Sequence, residues 1–342
     1  MSPTPRVAVL GGSGFVGSAV LRALEVHSGV PASTVAAPRL HSTARDPDHL
    51  LAQARASGAA IESLAESFAG NDIVVNAAGD PDASSTDTDA LVGANALMPT
   101  VALLAAARAG VRRFVHVSSA VVQGRAEVLD ESTRRDPFSP YALSKCLGEE
   151  ALLATDLAAG FTTGAGGGAA GPDIVVYRPP SVHGPDRRVT RRIASIARSP
   201  LRSVAGCGAR PSPQALIDNV AAAVAYLCLA PNPPRVVIHP WEGLTTATLM
   251  ELLGGGRQPR RIPEPVARLA VRGARATLGR VRGRGADIRR IEMLWFGQHQ
   301  VESWLTRQGW SPPVGVEGWR QLAEQTRPPH EVRHGPAEER TP

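Results

Sequence analysis

Short, almost wholly apolar runs recur along the chain with helix-forming stretches between them. Residues 7–10, 33–37, 72–76, 114–117, 174–177 and 235–238 read as strands. Strands that carry little polar alternation are buried on both faces, and helices between them make the crossovers of a parallel sheet. The first run leads through a glycine loop into an amphipathic helix reaching about residue 25. The second ends at Pro38-Arg39. Between Arg39 and Asn71 the pattern predicts two helices, 47–57 and 60–69, with no strand between them. The fold class expected is therefore α/β, a Rossmann-like doubly wound parallel sheet whose third strand is absent or vestigial. A smaller, mostly helical C-terminal lobe completes it.

The same pattern divides the chain. Residues 1–178 with 214–240 are expected to form the dinucleotide-binding domain, and 179–213 with 241–325 a substrate-binding lobe. A glycine-rich excursion at 158–172 reads as flexible, and the Pro- and charge-rich tail 326–342 as disordered.

Composition alters this picture in three places. The 342 residues, 43% hydrophobic and 20% charged, suffice for a large core in one large domain or two smaller ones. A pI near 10.0 raises nucleic acid as a partner. However, the eleven arginines between 257 and 290 have no aromatic residues interleaved to stack on bases, which argues against it. A solvated basic helix and loop, near a phosphate-bearing ligand or in peripheral contact with an anionic membrane, is the better reading. Cys146, Cys207 and Cys228 are too scattered for a disulfide framework or a metal site. No apolar run is expected to span a bilayer and no secretory leader precedes residue 7, so a reducing cytoplasm is the expected compartment.

The chemistry gathers around three segments. In Gly11-Gly12-Ser13-Gly14-Phe15-Val16-Gly17 the glycine spacing, between strand and helix, lets backbone approach a pyrophosphate at the helix N-terminus. After the second strand no acid is offered to a ribose 2′-hydroxyl, whereas Arg39 and Arg45 are present. That favours NADP over NAD. The second segment is Ser139-Pro-Tyr-Ala-Leu-Ser-Lys145, a serine cap and proline opening a helix with Tyr141 and Lys145 one turn apart on one face. Lys145 is the only lysine, against 36 arginines among 37 basic residues. Arginine cannot replace a compact ammonium that must serve several partners. A free tyrosine titrates at about 10, and a neighbouring ammonium favours the phenolate. The third segment, Ser118-Ser119, closes a strand at the edge where parallel sheets bind ligands.

These residues resemble the extended short-chain dehydrogenase/reductase family, in its sugar-nucleotide epimerase and reductase branch. The matching pieces are the 11–17 loop, Asp72-Ile-Val-Val-Asn-Ala77-Ala78-Gly79, Asn95, Ser118-Ser119, Tyr141-x-x-x-Lys145, Arg178-Pro-Pro180-Ser-Val182-His183-Gly-Pro185 and Gln308-Gly-Trp310. The resemblance covers residues 5–325. It implies Tyr141 as acid/base, Lys145 as its support and the ribose ligand, and Ser119, with Ser118 beside it, orienting the substrate oxygen. It also implies Asn95 holding a bend or water relay, and Pro180 to Val182 lining the nicotinamide. The substrate, a nucleotide-sugar or related small molecule, would meet the 80–89 loop, Gln123, His183 and 186–213. There Arg187, Arg188, Arg191, Arg192, Arg202 and Arg210 would supply a diphosphate clamp.

The sequence departs from the branch at Gln123, where tyrosine is usual, and at Asp218-Asn219. Ala120-Val121 stands where 4,6-dehydratases carry an acidic pair, which argues against dehydration. The expected activity is that of an NAD(P)-dependent ketoreductase. The alternatives are an epimerase with retained NAD, a non-catalytic dinucleotide sensor, and a membrane-associated biosynthetic enzyme. A homodimer is compatible with all of them.

Overall fold

The computed structural model describes residues 4–154, 171–278 and 284–327. The expected features at 158–170 and 328–342 lie outside the described residues.

From the N-terminus, β1 (Val7–Leu10) runs through the glycine loop into α1 (Phe15–Ser28), and β2 (Ala32–Val35) follows. Next come α2 (Pro47–Ala56), α3 (Gly58–Phe68), β3 (Ile73–Asn76) and α4 (Thr88–Val92). A π-helical turn, Gly93–Leu97, joins α4 to α5 (Met98–Arg108). Beyond β4 (Arg113–Val117) lie β5 (Val128–Leu129), α6 (Pro140–Leu153) and β6 (Asp173–Arg178). The remaining elements are β7 (Ser181–His183), α7 (Arg188–Arg198), β8 (Ser203–Ala205), β9 (Gln214–Leu216), α8 (Ile217–Leu229), β10 (Val236–Ile238), α9 (Thr246–Leu253), β11 (Arg260–Ile262), α10 (Glu264–Leu278), α11 (Arg284–Phe296), β12 (His299–Gln300), α12 (Trp304–Arg307) and α13 (Val316–Gln325).

Six strands form one parallel sheet in the order β10-β6-β4-β3-β1-β2. Alternate residues face opposite sides. Val7, Val9, Ile73, Val75, Val115 and Tyr177 pack against α1 and α8. Ala8, Leu10, Val74 and Phe114 pack against α3, α5 and α6. The strand order reverses between β1 and β3, a switch that opens a crevice beyond the carboxyl ends of the strands.

β2 is the edge strand, and among the described residues none pairs with its outer side. Residues 39–71 carry their large apolar side chains at helical spacing: Leu50 and Ala54, then Ile61, Leu64 and Phe68. They bury these against α5 rather than extending the sheet. Asp46 caps α2, its carboxylate accepting from His49 N at 2.9 Å.

Thr88–Arg108 forms a continuous helix of 21 residues, long and apolar enough to cross a bilayer, although no such span was expected. Of its most apolar 18-residue stretch 83% is buried in the protein's own core, which accounts for its composition.

Candidate functional site

A cavity of about 390 Å³ opens at the carboxyl edge of the sheet. Its floor comes from the ends of three strands: Ala77, Ala78 and Gly79 after β3, Ser118 and Ser119 after β4, and Pro180 and Val182 after β6. Tyr141 and Lys145 of α6 enter from one side, Val16 of α1 from another, and α7 and α11 close the top with Ile193, Met293 and Leu294.

Ser139 fixes the start of α6. Its hydroxyl accepts from Ala142 N at 3.1 Å, and Pro140 occupies the first turn. Tyr141 therefore stands one turn before Lys145. Burial raises the Tyr141 pKa, opposed by a hydrogen bond with the Ser119 side chain and by the Arg187 charge. Burial likewise lowers Lys145, to about 8, opposed by the carboxylates of Glu149 and Asp80. The tyrosine is thus a protonated phenol at neutral pH, held by Ser119 and ready to donate.

Asn95 lies in the π-helical turn, a distortion that often marks functional sites. Its side chain accepts from Asp80 N at 3.0 Å and donates to Asp80 O and Ser144 Oγ, both at 3.1 Å. It so pins the bend after β3 to α6. The bend passes close to the site: a Cβ at Gly79 would stand 2.7 Å from Asn95 Oδ1 and 3.3 Å from Lys145 Nζ.

The glycine loop is as crowded as its spacing implies. Gly11 has φ +80° and accepts from Gly14 N at 2.9 Å, and a Cβ on it would stand 2.8 Å from the Ala78 backbone. A Cβ at Gly17 would collide with the Gly11 carbonyl. No side chain caps α1, so the first-turn amides of Phe15, Val16 and Gly17 remain available to an anion. Gly12 is buried, and Ser13 and Gly14 are exposed on the outer side of the loop. These features fit the diphosphate of a dinucleotide. Arg39 is exposed on the segment after β2 and lines neither this cavity nor its neighbour.

Four expected site residues have other work. The Ser118 hydroxyl donates to Glu149 Oε1 at 2.5 Å, and Glu149 in turn binds Arg178 at 2.6 Å with both side chains wholly buried. Ser118 is therefore part of a structural brace, and Ser119 is the serine beside Tyr141. Gln123 is buried and clamps Asp130, donating to its carboxylate at 2.6 Å and accepting from its amide at 2.9 Å. His183 is buried between Thr190 Oγ1 at 3.1 Å and Gln214 Oε1 at 2.7 Å, and burial pushes its pKa down to about 4. Arg210 pairs with Glu264 at 3.0 Å and lines a second cavity instead.

That second cavity, about 350 Å³, adjoins the first through Arg289 and Gln298. Arg125, Arg210, Arg268, Arg272, Arg275 and Arg289 line it, with Glu127 and Glu292 as its acids. Of the expected diphosphate clamp, Arg187 and Arg192 line the Tyr141 cavity. Arg188 is exposed, Arg191 pairs with Asp186 at 2.8 Å, and Arg202 donates to the Gln258 carbonyl. Glu149 was not among the expected site residues, whereas Arg289 and Arg290 of α11 belong to the 257–290 basic segment expected near a phosphate-bearing ligand. Glu149 was detectable, since 141, 145 and 149 share one helical face.

The model of the NAD dependent epimerase/dehydratase family matches residues 7–233. No curated protein gives a significant match. Among solved structures, MoeE5 in complex with UDP-glucuronic acid and NAD is similar at 20% identity and TM-score 0.58, covering 94% of this chain and 98% of that one. UDP-glucuronic acid 4-epimerase from Bacillus cereus, in complex with NAD, is similar at 18% identity and TM-score 0.61, covering 94% and 96%. DesIV, a dTDP-glucose 4,6-dehydratase from Streptomyces venezuelae, has 19% identity and TM-score 0.59 at the same coverage.

Proposed function

Because the chain belongs to the NAD-dependent epimerase/dehydratase family, we propose that it is a ketoreductase of a nucleotide-activated sugar or a related small carbonyl compound. The observation that carries this reading is the convergence of Tyr141, Ser119 and Lys145 on one cavity at the sheet edge. The glycine loop and the α1 amides would hold the dinucleotide diphosphate, with Ala77 to Gly79, Pro180 and Val182 against its nicotinamide half. When bound, that group supplies the hydride acceptor or donor. The chain's own part is proton transfer and orientation. Ser119 aligns the reacting oxygen with Tyr141 Oη, and the phenol gives up its proton as that oxygen gains charge. Lys145 stabilises the phenolate left behind, and Asn95 keeps the Gly79–Asp80 bend against it.

A protonated Tyr141 can supply the proton that a carbonyl-reducing step consumes. The lack of an acid in residues 35–45 favours exchangeable NADP. The six-arginine cavity next door suits the diphosphate of a nucleotide-sugar. An epimerase retaining NAD is the second reading, supported by the UDP-glucuronic acid 4-epimerase among the structural neighbours.

Purification separates the two. A reductase emerges free of cofactor and oxidises added NADPH in the presence of a nucleotide-linked keto-sugar. An epimerase emerges with NAD bound and interconverts sugars without net cofactor turnover. Absence of both activities in protein that binds NADP tightly would support a non-catalytic sensor.

A further inference from the structure

Most arginines around the site have partners. Arg289 donates to the Gly124 carbonyl and pairs with Glu292, Arg191 pairs with Asp186, and Arg210 with Glu264. Arg187 is different. It lines the Tyr141 cavity, its guanidinium carbon stands 4.8 Å from the centroid of the Phe15 ring, and its Nε is buried with no hydrogen-bond partner; the Nε of Arg289 is buried unpartnered too, but both terminal nitrogens of Arg289 are engaged. Stacking uses the face of the guanidinium and leaves the edge of its fork open. An open fork at the reacting end of a cavity is complementary to a planar oxyanion.

From the proposed nucleotide-sugar function, on which this step rests, we infer that Arg187 seats a carboxylate carried by the sugar itself. The preferred substrate is then a nucleotide-linked uronate or keto-uronate rather than a neutral hexose. Two other anions could compete for the seat, and each has a place of its own. The substrate diphosphate has the six-arginine cavity, which Arg187 does not line. The cofactor diphosphate has the uncapped amides of α1. Arg187 lies instead close enough to Tyr141 for its charge to act on the phenol, opposing the upward shift caused by burial. A group bound to it is held beside the proton donor.

The test is calorimetric titration of cofactor-loaded protein with UDP-glucose and UDP-glucuronic acid, repeated with the thymidine-linked pair. The readout is the affinity ratio of uronate to hexose. In the wild type the ratio should be at least about tenfold, as expected for one charged hydrogen-bonded contact. It should fall to near one in Arg187→Gln, while the exposed neighbour Arg188→Gln keeps the wild-type ratio and thereby controls for overall charge. An unchanged ratio in Arg187→Gln, or loss of cofactor affinity in that variant, would overturn the seat, the latter assigning Arg187 to the cofactor diphosphate. Wild-type binding of both sugars at a ratio near one would overturn the seat and leave the nucleotide-sugar function standing. Failure of cofactor-loaded protein to bind any of the four would overturn both.

Discussion

Lys145 is the residue on which environment and role depend most closely. Its pKa of about 8 arises because burial removes water from the ammonium faster than Glu149 and Asp80 replace it. The unfolded chain then binds more protons than the folded one between about 8 and the ordinary lysine value, so stability rises with pH across that window and the burial penalty is fully present below it. The only lysine is also the one side-chain amine that reductive methylation labels, and its resonance is told from that of the α-amine, which titrates at about 7.7–8.0, by its loss in Lys145→Arg. After reductive ¹³C-methylation, its methyl resonance should titrate near 8, whereas a midpoint above 10 would mean that the ammonium is solvated and the site is open. Tyr141→Phe should lower turnover by about 10²–10⁴-fold with cofactor affinity nearly unchanged, since it removes only the proton donor. That Tyr141, Lys145 and Ser119 meet at one cavity was legible in the sequence, because helical spacing and strand ends fix where such side chains fall. The hydrogen-bond partners of Ser118, Gln123 and His183 were not legible, since Glu149, Asp130 and Gln214 lie 31, 7 and 31 positions away. Local pattern does not disclose which polar group a buried side chain will find.

Among the elements, the loop before α1 and the face of α6 carry the site. Gly17→Ala should abolish dinucleotide binding in a fluorescence titration, because the added methyl meets the Gly11 carbonyl and spreads the turn. The α6 face continues past the site to Glu149, whose carboxylate joins Arg178 and Ser118 and ties α6 to β6 and β4. Glu149→Ala leaves a buried guanidinium unpaired and should cost about 3–5 kcal/mol in urea unfolding. A loss below about 1 kcal/mol would show that water reaches the pair. All six sheet strands could be read from apolar runs, with boundaries within two residues. The absence of a third strand was equally readable, since 39–71 offers helical rather than alternating spacing. The roof was not readable. α11 reaches the cavity from more than a hundred residues beyond Tyr141, through packing that no local period encodes.

At the scale of the whole molecule, the carboxyl ends of the sheet strands open on one cavity, apolar and reactive, and a second, rich in arginine, adjoins it through Arg289 and Gln298. That division fits a substrate with a small reacting end and an anionic handle. The segment after β2 belongs to the same argument. Arg39 is exposed and no acid precedes it in residues 35–38, so NADPH should bind more tightly than NADH, and Arg39→Asp should reverse the order. The most direct test of the central claim follows nicotinamide absorbance in a single turnover, with NADPH-loaded protein mixed with a nucleotide-linked 4-keto-sugar. Rapid loss of the reduced-cofactor signal in the wild type, abolished in Tyr141→Phe that still binds NADPH, is the result predicted. Equal rates in the two proteins would contradict Tyr141 as the proton donor and the mechanism built on it.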